Sequence, residues 1–193
     1  MELLPLAFTS GWTSGINAYA TVLLLGLMGR FVGVEEIPSR LQRTDVLIAA
    51  GVLTVIEFVA DEIPYVDSIW DGVSTVVRPV AGSVIGALLA GGNGDLVTLT
   101  LASAGGITAL VSHLVKPGLR LAINTSPEPA SNIGASLVGD VSVAGVTAFA
   151  VLYPVAAAVV VAVLLVAGVW LTLAVMGRVR RGRRAFRRRL QPA

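Results

Sequence analysis

The sequence has no cysteine and a single histidine. The first absence excludes disulfides, thiolate metal sites and thiol nucleophiles. The second excludes a histidine-rich metal cluster. Charge is scarce as well, at 13% of residues, where a soluble domain carries about 25%. No P-loop, G-x-S-x-G, H-E-x-x-H or dinucleotide fingerprint can be found. No enzymatic activity, metal or cofactor is therefore expected.

What the chain has instead is apolar surface. Of its 193 residues 55% are hydrophobic, and the mean hydropathy is +0.83. That composition points to an all-α integral membrane bundle. The net charge of +2 hides a division. Residues 178–189, RVRRGRRAFRRR, hold eight arginines. Without them the chain carries six basic against twelve acidic groups. The reading is one transmembrane domain over 1–177 and an arginine-rich cytoplasmic tail over 178–193. Glu2 stands where a signal peptide wants a basic residue, so the N-terminal stretch is read as retained.

Five apolar segments can be drawn, near 9–33, 45–63, 72–91, 97–122 and 133–177, against the roughly 20 residues that a ~30 Å hydrocarbon core needs. Pro154 divides the last one and must kink or end a helix. In one reading 133–153 is a tilted or partly interfacial helix that leads through a kink into a span at 154–177. In the other the chain turns tightly at Tyr153-Pro154 and makes six segments. No Gly, Asn or Ser cluster marks a hairpin there, so about five spans are expected, with a kinked long C-terminal helix. The arginine tail places the C-terminus in the cytoplasm, beneath the inner (plasma) membrane. Loop 30–44, with Arg30, Arg40 and Arg43, is then expected inside. The acidic loop 61–71, with Asp61, Glu62, Asp67 and Asp71, is expected outside, as is the N-terminus.

A charge at the centre of a membrane helix costs about 2.5–3.5 kcal/mol on insertion scales, so each one needs a reason. Glu57 lies well inside the second segment, and Asp61 follows one turn later on the same face. Arg78 lies inside the third, before Pro79, and could pair with either carboxylate. His113, Lys116 and Arg120 form one stripe of the fourth at i, i+3 and i+7. Two readings compete: a polar cavity that binds an ion or small solute, or ion pairs that tie helices together, with snorkelling near the segment ends. Thr13, Asn17 and Thr21 make a polar stripe on the first segment, where Asn17 either lines a pathway or bonds to another helix. Trp12 reads as an interface anchor.

Segment 124–132 stands apart. Prolines on both sides of Glu128 oppose a regular helix there. Ser126, Glu128 and Asn132 are thus either polar lining on irregular backbone or part of a plain outside loop. Asp140 is a further carboxylate inside the next apolar stretch. Gly11-x-x-x-Gly15 and Gly82-x-x-x-Gly86 permit close helix packing, within the chain or between copies. A homo-oligomer through Gly82 and Gly86 is one such use. The lipid bilayer is the expected partner, with anionic headgroups at the arginine tail. No nucleic-acid fold accompanies the tail, so no nucleic-acid partner is expected.

Four stretches resemble a known family: SGINAYATVLLLGLMGR, then EFVADEIPYVDSIWD with RPVAG after it, KPGLRLAINTSPEPASN, and the segment around Asp140. Together they are similar to domain-of-unknown-function family 4126 (DUF4126), small multi-pass membrane proteins of bacteria. The resemblance covers roughly residues 9–150. It implies a membrane bundle of this size and points to Asn17, Glu57, Asp61, Asp67, Arg78, Pro79, Ser126, Glu128 and Asn132. It implies no established activity. The functional expectation is a small-solute or ion transporter or channel-like protein; the alternative is a non-catalytic scaffold or assembly subunit.

Overall fold

A computed structural model of the chain describes residues 3–63, 66–123 and 129–189; side-chain detail excludes residues 62, 67, 68, 116–137, 179, 180 and 182–189 within them. Seven α-helices and no strand occur among the described residues. They are α1 (Leu3–Ile16), α2 (Ala18–Leu27), α3 (Thr44–Glu62), α4 (Val66–Leu89), α5 (Asp95–Ile123), α6 (Pro129–Leu152) and α7 (Pro154–Arg189). A π-helical turn, Met28–Val32, closes α2, and Gly33 ends it in the left-handed conformation at φ 74°, which glycine adopts without steric cost. Ile69–Leu89, Asp95–Val115 and Pro154–Arg178 are long and apolar enough to cross a membrane. Helix α3 has 19 residues but carries Asp45, Glu57 and Asp61 and is not among them.

Helices α1, α4 and α5 form the centre. Glycine makes their approach close enough for backbones to touch: a methyl group on Gly105 would run into the Gly82 carbonyl, and one on Gly11 into the Gly105 carbonyl. The Gly82/Gly86 face is covered by α5 of the same chain, since Gly86 abuts Leu101. Every residue of α1 from Leu6 to Gly15 except Phe8 is buried. Trp12 is therefore packed inside the bundle and is no interface anchor. Its carbonyl accepts a hydrogen bond from Ser112 Oγ at 2.9 Å.

The order of these contacts fixes the helix directions. Gly11 meets Gly105, and Gly15 meets Ala109 and Ser112, so α1 runs parallel to α5. Gly82 meets Gly105 and Gly86 meets Leu101, so α4 runs antiparallel to both. Helix α2 begins near α4, with the Tyr19 and Trp70 rings 6.4 Å apart, and ends against the start of α3, where Gly26 meets Leu41 and Leu47. One apolar cluster joins Leu6, Leu25, Ile37, Leu41, Ile85, Leu89 and Leu101. The start of α1, the end of α2 and the α4–α5 turn thus lie at one end of the bundle. Helices α1 and α2 are the two arms of a hairpin that enters and leaves at that end, with Asn17 at its tip. This corrects the expected single span near 9–33. Each arm is about 15–21 Å long at 1.5 Å per residue, short of the ~30 Å core.

The C-terminal helices also depart from expectation. Asn17 meets Asp140 and Ala150 joins the cluster around Leu6, so α6 runs antiparallel to α1. Gly168 packs against Val115 while Ala157 lies in that same cluster, so α7 runs back parallel to α5. The chain reverses at Tyr153, where α6 closes with Tyr153 N–H on the Phe149 carbonyl (2.8 Å) and α7 opens with Ala157 N–H on the Tyr153 carbonyl (2.9 Å). Pro154 is the first residue of α7, where a missing N–H costs nothing. The expected kinked long helix is thus two helices. The irregular segment is also shorter than expected, because α6 starts at Pro129; residues 124–128 lie outside the described residues.

Polarity is inverted relative to a soluble protein. Valines 52, 55 and 59 of α3, and Val159, Val163, Val166 and Trp170 of α7, point outward. Arg78, Glu57, His113, Asn17 and a set of hydroxyls are buried. Apolar patches of this extent are costly in water and stable against lipid.

Candidate functional site

The hairpin tip is where α1 stops. Asn17 has φ −148° and ψ 101°, which interrupts the helix, and its side-chain oxygen accepts a hydrogen bond from Ala20 N–H at 2.9 Å. Asparagine is among the best N-capping residues, so it starts α2 as it ends α1. Its other side-chain group, Nδ2–H, donates to Asp140 Oδ1 on α6 at 3.2 Å. The start of α2 therefore faces a carboxylate.

The end of α1 faces a cation. Arg78 Nη1 donates to the Gly15 carbonyl at 3.4 Å, and Ser14 Oγ donates to the Arg78 carbonyl at 3.1 Å. A helix carries partial positive charge at its N-terminus and partial negative charge at its C-terminus. Breaking the helix at Asn17 creates one of each at the same depth. The structure places Asp140 by the first and Arg78 by the second.

Arg78 is the hub. Its side chain is 1% exposed, and Nη2 lies 2.6 Å from Oε1 of Glu57, itself 2% exposed. Asp71 Oδ1 is 3.9 Å from the same nitrogen. Nη1 also lies 2.8 Å from His113 Nδ1, and His113 Nε2 lies 3.0 Å from Thr75 Oγ1. Thr75 Oγ1 in turn donates to the Asp71 carbonyl at 2.9 Å. Four helices meet here: α3 through Glu57, α4 through Asp71, Thr75 and Arg78, α5 through His113, and the hairpin tip through Gly15. Pro79, inside α4, withholds an N–H from the Thr75 carbonyl one turn back.

Of the residues singled out from sequence, Glu57, Arg78 and His113 come together, and Asn17 joins Asp140 beside them. Asp61 sits half-buried one turn beyond Glu57 on α3. Lys116 and Arg120 lie on α5 and Asn132 on the first turns of α6, with side chains outside the described residues; Ser126 and Glu128 lie wholly outside them. Sequence reading missed Thr75 as a site residue, although Asp71, Thr75 and Arg78 fall at i, i+4 and i+7 on one face. It also missed Ser14, Gly15 and Ser112, which look like ordinary small packing residues.

The bundle is asymmetric along its length. The apolar cluster around Leu6, Ile37 and Leu89 closes one end. From the hairpin tip toward the other end, where α3 and α5 finish and the tail emerges, lie Glu57, Asp61, Asp71, Thr75 and His113.

These features define a class: an all-helical protein, polar within and apolar without, with helices able to cross a membrane. The profile of the family described as a domain of unknown function, DUF4126, matches residues 4–174. The chain belongs to that family, and the match ends before the arginine block. No curated protein and no solved structure matches the chain.

Proposed function

We propose that this protein is a small-solute or ion transporter. One observation carries the reading. A helical hairpin breaks at Asn17 in the middle of the bundle, and its freed end meets a buried Arg78–Glu57 pair. Non-helical backbone is tolerated at membrane depth where it is buried or lines a cavity, and transporters build substrate sites from such helix breaks. Charges kept inside a membrane point the same way.

The proposed topology has five crossings, α3 to α7, with the α1–α2 hairpin re-entrant. With the arginines cytoplasmic in an inner membrane, and touching anionic headgroups, the N-terminus is outside and the polar half of the bundle opens inward. The loop with Arg40 and Arg43 then lies outside and the Asp61–Asp71 turn inside. This reverses the two loop positions inferred from charge alone, while the tail end still carries most of the basic residues.

A second reading, a scaffold or assembly subunit, is favoured by the closure of Arg78, Glu57 and His113 on one another, each 3% exposed or less. The deciding experiment is flux in reconstituted vesicles under a proton gradient, for wild type and Glu57→Gln. The transport reading expects wild-type flux of protons, monovalent cations or small anions above protein-free vesicles, and a loss in the variant. No flux of any of these removes transport in favour of the scaffold, and equal flux in both proteins removes Glu57 from the mechanism.

A further inference from the structure

The hydrogen-bond geometry around His113 selects one tautomer through Arg78, and the Thr75 contact agrees with it. A guanidinium can only donate. Arg78 Nη1, 2.8 Å from Nδ1, therefore requires an unprotonated Nδ1. On the opposite side of the ring, the Thr75 hydroxyl has one hydrogen and gives it to the Asp71 carbonyl, which can only accept. Thr75 Oγ1 must then accept from His113, so Nε2 carries the proton. The result is a one-way chain: Arg78 to His113, His113 to Thr75, Thr75 to the Asp71 carbonyl.

That chain leaves the imidazole one place for a second proton, and Arg78 occupies it. We propose that His113 Nδ1 is a proton-binding site whose occupancy and the Arg78 contact exclude each other. When a proton from water binds Nδ1, a new N–H bond forms and the imidazole becomes a cation facing the guanidinium. Arg78 must withdraw from α5. It keeps its proton and retains Glu57 Oε1, with Asp71 close by. Of the two bonds from His113 to α4, the one to Arg78 is lost and the one to Thr75 remains, and the hold of Nη1 on the Gly15 carbonyl, a long contact at 3.4 Å, is loosened with the first. Protonation would thus remove one of the bonds on the hairpin tip, with Ser14 still on the Arg78 carbonyl and Asn17 on Asp140.

The groups around the ring set the balance. Helix α4 contributes Arg78 and Asp71, and α3 contributes Glu57 and, one turn on, Asp61. The start of α2 brings Tyr19, near enough to both Glu57 and Arg78 to interact electrostatically. Asp140 of α6 lies across the tip on Asn17. Helix α7 meets α5 through apolar Gly168 and Val115.

The inference gives the transport reading a coupling ion, yet it can be tested without flux. His113 is the sole histidine, so a full-length protein labelled with 15N-histidine, in phosphatidylcholine–phosphatidylglycerol bilayers, yields one imidazole spectrum. Between pH 8 and pH 5 the proposal expects a spectrum with Nε2 protonated and Nδ1 bare, replaced on acidification by one with both nitrogens protonated. In Thr75→Val, which removes the Nε2 acceptor, Nδ1 should stay bare because Arg78 still faces it, while the Nε2 resonance moves with the loss of its hydrogen bond. A protonated Nδ1 at pH 8, an imidazole that takes no second proton by pH 5, or an unmoved Nε2 resonance in Thr75→Val overturns the proposal. The expected spectra with no flux would retain the proton site and discard transport; flux that persists with a non-titrating imidazole would do the reverse.

Discussion

Glu57 Oε1 and Arg78 Nη2 meet at 2.6 Å with both side chains at most 2% exposed, and they join helices α3 and α4. Removing one partner of such a pair leaves an isolated charge in a low-dielectric interior, which costs about 3–5 kcal/mol. Arg78→Met should therefore lower stability by about that much in a detergent-based unfolding titration. Glu57→Gln keeps an oxygen for Nη2, and the Asp71 carboxylate at 3.9 Å still faces the guanidinium, so its loss should be smaller. Equal losses would show that the pair is not what holds α3 to α4.

Glycine contacts give a paired prediction. Gly105 touches the backbone of α4, whereas a methyl group added at Gly51 of α3 would meet nothing within 4 Å. Gly105→Ala should cost about 1–3 kcal/mol through overpacking. Gly51→Ala should be neutral or stabilising by up to about 1 kcal/mol, from helix propensity alone. Thermal unfolding of both variants in one detergent makes the comparison, and similar behaviour would refute the close α1–α4–α5 packing.

Asn17 does two things that can be separated. Asn17→Ala loses both the cap on Ala20 and the bond to Asp140, for a loss of about 0.5–2 kcal/mol from the cap alone. Asn17→Ser keeps a capping oxygen but cannot make the same reach to Asp140. Its stability should lie closer to wild type, and a serine variant as unstable as the alanine would make Asp140 the dominant partner.

Topology can be read by labelling, since the chain has no cysteine to remove. Ser39 and Ile63 are both exposed. A membrane-impermeant maleimide applied to intact cells should label Ser39→Cys and leave Ile63→Cys and a cysteine after Ala193 unlabelled. Labelling of Ile63→Cys with protection of Ser39→Cys and of the tail would restore the loop positions that charge alone suggests and would exclude five crossings by α3 to α7.

Much of the architecture was legible in the sequence. The middle segments 45–63, 72–91 and 97–122 each became one helix near the expected bounds, and the cost of buried charge picked out Glu57 and Arg78, with His113 on the facing stripe. Two features were not legible, for physical reasons. Asn17 inside an apolar run reads equally as interhelical glue or as a cap, and helix direction depends on tertiary contacts such as Gly15 against Ala109. At Tyr153-Pro154 a proline can kink or start a helix, and local sequence does not distinguish a bend from a reversal. The link from His113 to Thr75 needed the antiparallel register of α4 and α5, which is set by Gly82 and Gly86 many residues away.

Helix α7 runs for 36 residues from Pro154, about 54 Å at 1.5 Å per residue, while the hydrocarbon core is about 30 Å thick. It is helical through Arg189, past the length that the hydrocarbon core can contain. Gly168 holds α7 against Val115 of α5, so only the turns beyond it can swing: from there to Arg189 is about 32 Å at 1.5 Å per residue, and about 10° at Gly168 would carry the far end through about 5–6 Å.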